Sequence, residues 1–235
     1  MTRILMLKTM GQDFPFLSLL GMLILLGLVL PLVTSWLISK NMKSVSGMIG
    51  HKMVIGWLGI IVHELSHALV ALIFGHHIEK ISLLQAADIN GTLGYVQHTW
   101  NPKSFYQQIG NFFIGLAPIL GVLGSIYGVT LWLWPALLNG QWIILSWPAL
   151  LGWIYLVITL LFGIDLSSSD WAGMRAGLTV YLIALFLVTL ILYWGMHVSV
   201  GTVWENLGQK MTWLCAGLAS ASAVLRAVVK LMMKK

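Results

Sequence analysis

The run "IVHELSHALVALIFGH", residues 61–76, sets two histidines and a glutamate inside a stretch that is otherwise apolar. On a helix, His63 and His67 stand four residues apart on one face, where their ring nitrogens can reach one metal ion. Glu64 lies one position further round. Two imidazoles suit zinc, which in hydrolytic sites keeps one coordination position for water and lowers that water's pKa towards about 7. A glutamate beside it can accept the proton and pass it to a leaving amine. An ionised side chain near the centre of a spanning helix costs roughly 2.5–3.5 kcal/mol on insertion scales, so its presence there points to function. The plainer account, a hydrogen-bonded histidine in an apolar helix, explains one such residue but not the spaced set.

Catalytic zinc generally takes three protein ligands. The single cysteine, Cys215, excludes a multi-cysteine cage and an internal disulfide, so the third ligand must be His, Asp or Glu. Asp88 and His98 follow the motif; Asp165 and Asp170 lie where the fourth apolar stretch meets the fifth. "SSSD" reads as a helix start with a serine cap and Asp170 in the first turn, and this makes Asp170 the preferred ligand. Capping or the helix dipole alone would also account for it. Asp165, five residues earlier, is the alternative third ligand. His98, in "YVQHTW", could steady an oxyanion, although an interfacial histidine is its plainer reading. Asn111, in "QQIGNFFIG", could hold a substrate carbonyl or simply a neighbouring helix. His76 and His77 read as markers of the membrane boundary.

These residues need a scaffold, and the composition says which kind. The chain has 235 residues, 59% hydrophobic and 9% charged, with a mean hydropathy of +0.91, which implies an all-α polytopic membrane protein. Apolar stretches at about 16–39, 52–75, 107–134, 141–163 and 172–196 read as five transmembrane helices. The stretch 203–233 reads as a sixth span or an interfacial amphipathic helix, because Arg226, Lys230, Lys234 and Lys235 hold its end at an interface. Between the second and third spans, "INGTLGYV" suggests a short membrane-associated β-hairpin at about 81–97, turning at Asn90-Gly91. The small-residue run "GLAPILGVLGS" in the third span would allow close helix approach. No repeat or soluble domain interrupts the chain, so 1–235 reads as one membrane domain with a core at about 50–175.

The net charge of +6 sits at segment ends with no basic stripe, which fits membrane-surface anchoring in a lipid bilayer and no nucleic-acid partner. With the N-terminus inside, Arg3, Lys8, Lys80, Lys103 and Arg175 oppose Lys40, Lys43 and Lys52, and a sixth span would add the tail charges to the inside. That balance predicts a cell-membrane protein with its N-terminus and active site on the cytoplasmic side.

Over about residues 50–175 the order "HELSH", "INGTLGYVQH", "GLAP", "LFGIDLSSSDWAG" resembles the site-2 protease family of intramembrane zinc metalloproteases, as a small divergent member. That family carries H-E-x-x-H on one core span, a hairpin after it, and an aspartate in an L-D-G or N-P-D-G type motif two spans later. Here Trp171 takes the place of the following glycine, Phe162 stands where many members have asparagine, and there is no PDZ-type insert. The resemblance implies zinc, one ion per chain, held by His63, His67 and Asp170, with Glu64 as general base. It implies hydrolysis of transmembrane or membrane-associated peptide substrates. A catalytically inactive metal-binding protein that captures membrane peptides is the alternative, and a retained Glu64 argues against it. A transporter would call for inverted repeats and paired broken helices, and neither is evident in the sequence. Oligomeric state is not readable from the chain.

Overall fold

The computed structural model describes residues 15–49, 52–86, 93–138 and 146–233. Asp88, the Asn90-Gly91 turn and the basic residues Arg3, Lys8, Lys234 and Lys235 lie outside that set. The protein is an all-α polytopic membrane protein. Among the described residues, five helices are long and apolar enough to cross a membrane: α1 (Pro15–Met48), α3 (Phe105–Leu133), α4 (Trp147–Ile164), α5 (Ser168–Gly195) and α6 (Val200–Met232). The helix that carries the motif, α2 (Trp57–Ile73), has 17 residues. At about 1.5 Å per residue it falls a little short of a hydrocarbon core of roughly 30 Å. After it come two antiparallel strands, β1 (His77–Ser82) and β2 (Tyr95–Thr99), in register from His77 opposite Thr99 to Ser82 opposite Tyr95, with an irregularity between Ile78 and Lys80.

The first helix runs well past Ser39, where its polar residues begin. Polarity there marks a change of surroundings and not a helix end, because these side chains find partners within the bundle. Ser39 donates to Asp165, Lys43 pairs with the same carboxylate, and Asn41 donates to Ser222 and accepts from Arg226. The last two contacts tie α6 to α1 at Asn41, and α6 packs along α1 from Pro15–Ile24 to Leu30–Ile49 in the same direction, so the stretch beyond 203 is a bundle helix.

Pairwise contacts fix the helix directions. Gly110 of α3 abuts Phe74 just beyond α2, while Ile114 meets His67, so α2 and α3 are antiparallel. Trp57 donates to Tyr155 and Gly59 meets Gly163, so α4 runs parallel to α2. Trp153 donates to Thr130 near the end of α3, whereas Gly115 touches Asp170 and Gly177 touches Phe112. Helices α4 and α5 therefore follow one another along α3 in the same direction. The chain does not reverse at 165–167; it breaks and continues. Tyr181 meets Gly27, and Phe186 and Trp194 meet Phe16, so α5 is antiparallel to α1. Helices α1, α3 and α6 run one way and α2, α4 and α5 the other.

Glycine makes the central crossing possible. A methyl on Gly163 would stand 2.1 Å from the Gly59 carbonyl oxygen, so backbone meets backbone where α2 passes the end of α4. The core around it is aliphatic, with Ile38, Ile119, Val122, Leu160, Leu161 and Ile164 almost completely enclosed.

Candidate metal centre

The chain break between α4 and α5 is what presents the site. Phe162–Ile164 form a single 3-10 turn, Asp165 is extended, and Ser167 caps α5. Ser167 Oγ accepts from the Asp170 N–H at 3.2 Å and Asp170 Oδ2 accepts from the Ser167 N–H at 2.6 Å, a reciprocal capping box. Capping and approach to the histidines are thus compatible roles for one carboxylate. The cap holds Oδ2, and Oδ1 reaches inward to 3.0 Å from His67 Nε2.

His63 Nε2 and His67 Nε2 are 3.1 Å apart, and His63 Nε2 lies 3.5 Å from Asp170 Oδ2. The three side chains are 12%, 8% and 8% exposed. Their outer ring nitrogens are committed: His63 Nδ1 donates to the Gly163 carbonyl at 2.8 Å and His67 Nδ1 donates to the Ile114 carbonyl at 2.7 Å. A carbonyl oxygen can only accept, so both protons sit on Nδ1 and both Nε2 atoms present lone pairs inward. Two lone pairs and a carboxylate facing one another in a buried site repel unless a cation lies between them. The pattern of imidazole N–H bound to backbone carbonyl is the one that orients metal-ligating histidines. A tetrahedral ion with bonds of about 2.0–2.2 Å separates its ligand atoms by roughly 3.3–3.6 Å. The observed 3.0–3.5 Å is close to that spacing.

Glu64 is buried beside this group, at 8% exposure. A methyl on Gly94 would stand 2.7 Å from its Cγ, so the segment entering β2 lies directly over it. His63, Glu64, His67 and Asp170 open on a cavity of about 500 Å³, bounded opposite by Leu93, Gly94, Tyr95, Val96 and His98. Leu93 and Gly94 lead into β2, and Tyr95, Val96 and His98 of β2 border that space; among the described residues β2 pairs with β1 along one edge and leaves the other open.

Asp165 turns to Ser39 and Lys43 of α1, at 2.5 and 3.0 Å, and among the described residues the metal-compatible group is His63, His67 and Asp170 without it. His98 borders the cavity and bonds to His76. Asn111 is buried on α3, its amide nitrogen has no partner among the described residues, and it does not border the cavity. His76, read as a boundary residue, is in fact only 3% exposed. Sequence reasoning also missed Gly163 and Ile114. Both act through backbone carbonyls, which carry no residue-type signal. Comparison of the chain with protein-family models, with curated proteins and with solved structures yields no match.

Proposed function

We propose that this protein is an intramembrane zinc metalloprotease of the site-2 protease type. The observation that carries the reading is the convergence of His63 Nε2, His67 Nε2 and the Asp170 carboxylate, with both outer nitrogens tied to backbone carbonyls and Glu64 alongside. His63, His67 and Asp170 would hold one zinc ion, which supplies Lewis acidity and makes water nucleophilic near neutral pH. Glu64 accepts the proton of the attacking water and delivers it to the leaving amine.

The strand edge supports a peptide as substrate. Amides within a helix are already paired, so a membrane-spanning substrate must unwind before attack. The cavity-side edge of β2 offers main-chain groups that would hold the unwound segment extended. Arg226 lies beside Asn41, at the end of the bundle that carries Lys40 and Lys43, so the basic residues of α6 count against an orientation with the N-terminal end in the cytoplasm and the charge balance no longer selects it.

The test is purification in detergent, quantification of zinc, and incubation of a single-span peptide with wild type and Glu64→Gln. Wild type should cleave, and Glu64→Gln should keep its zinc while losing cleavage. Equal cleavage by both would sink the mechanism. Zinc without cleavage by wild type would leave a membrane-peptide-binding protein.

A further inference from the structure

Beside the candidate centre lies a second histidine pair. His76 Nε2 is 2.9 Å from the Gln107 carbonyl oxygen, and His76 Nδ1 is 3.0 Å from His98 Nδ1. The carbonyl can only accept, so the His76 proton is on Nε2 and its Nδ1 carries a lone pair. The proton between the two rings therefore belongs to His98 Nδ1, and His98 Nε2 is left as an acceptor. His98 borders the cavity and His76 does not; with Nδ1 turned to His76, Nε2 is the ring nitrogen left to meet a ligand there.

In this order a neutral His98 has no second proton to offer an oxyanion. Steadying an oxyanion takes a donor, and here the single proton of a neutral His98 is already committed. Burial holds both rings below the ordinary histidine range, and the neighbouring His76 and His67 add to the effect at His98, so both are neutral near pH 7. What Nε2 can use is a donor, and Glu64 and Asp170, which share the cavity, supply carboxylate acceptors. An extended peptide brings a main-chain N–H at every residue except proline.

We infer that His98 is a specificity-determining contact: its Nε2 accepts a hydrogen bond from one main-chain N–H of an extended peptide in the cavity, and it thereby discriminates against proline at that residue. His76 is a positioning residue that sets the tautomer. The inference rests on reading the cavity as a peptide-cleaving site, but its test reads binding as well as turnover.

The probe is a synthetic peptide with a single apolar span of about twenty residues, in which each amide flanking the scissile position is replaced in turn by an ester. An ester has no N–H and keeps the side chain. Affinity is measured with full-length Glu64→Gln protein, which does not depend on cleavage, and kcat/KM with the zinc-loaded parent. One ester should weaken binding about tenfold, the usual cost of leaving one buried acceptor unmet. In His98→Phe that penalty should vanish. His98→Gln, which restores an acceptor oxygen, should recover part of it. His76→Phe frees the His98 proton to move to Nε2 and should also shrink it, which a merely structural role for His76 would not do. A profile in which no ester costs affinity, or in which His98→Phe and His76→Phe keep the parent's penalty, overturns the inference. If wild type cleaves nothing and the ester penalty still depends on His98, the protease reading fails and the contact stands.

Discussion

Gly163→Ala isolates the support of the site from its ligands. The substitution leaves every candidate ligand unchanged and adds one methyl where α4 crosses α2. That methyl would sit 2.1 Å from the Gly59 carbonyl oxygen and 2.6 Å from its carbon, and both are backbone atoms that no rotamer change can move. Reaching an ordinary contact of 3.4 Å takes a shift of about 1.3 Å between the two segments. A shift of that size along the contact stretches the 2.8 Å bond from His63 Nδ1 to the Gly163 carbonyl beyond hydrogen-bonding range. His63 then loses the group that fixes its tautomer and ring orientation, a loss that typically lowers metal affinity about 10–100-fold. The overpacking itself should destabilise the fold by about 1–3 kcal/mol. Zinc affinity is measured by competition with a chelator of known strength, and melting is followed in parallel. Gly47→Ala is the control, since a methyl there meets nothing within 4 Å. A folded Gly163→Ala protein with wild-type zinc affinity would refute the claim that this carbonyl orients His63.

The two aspartates should separate cleanly: Asp170→Ala should lose zinc and turnover, whereas Asp165→Ala should keep its metal and lose the tie to Ser39 and Lys43. Metal analysis of the two variants checks this, and the reverse pattern would exchange their roles. The pH dependence of the hairpin follows from His76 and His98, whose folded pKa values lie below the ordinary 6.5. The undocked hairpin binds more protons, so docking is fully stable above about pH 6.5 and is lost as pH falls through the depressed values. Hydrogen exchange across β1 and β2, corrected for intrinsic rate, should therefore speed up on acidification, and His76→Gln should flatten the response. Because α6 runs alongside α1 in the same direction, the segments at Pro15 and Met232 lie at opposite ends of the bundle. Cysteines introduced near the two positions should label from opposite sides of the membrane, and labelling of both from one side would contradict the helix directions.

Much of the architecture was already legible along the chain. Long apolar runs can only be spanning helices, because each backbone group must be satisfied without water. The H-E-x-x-H spacing brings His63 and His67 together on any helix, since four residues make about one turn. The serine cap ahead of Asp170 is likewise a local property, and Ser167 and Asp170 form the reciprocal pair that "SSSD" suggests. The end of α1 was harder to see. Lys40, Asn41 and Lys43 mark a change of surroundings, and only the partners on α6 and at Asp165 explain why the helix continues.

Asp165 and Asp170 are alike in type and five residues apart, so sequence could rank them but not separate them. The tertiary structure does so through one interruption of the helix: the chain leaves α4 with Asp165 turned to Ser39 and Lys43, then resumes as α5 with Asp170 aimed at the histidines. The carbonyls of Gly163 and Ile114, which set the two tautomers, and that of Gln107, which sets a third, were out of reach of sequence for a related reason. A backbone oxygen is common to every residue, and only the packing of one helix against another gives it a particular partner.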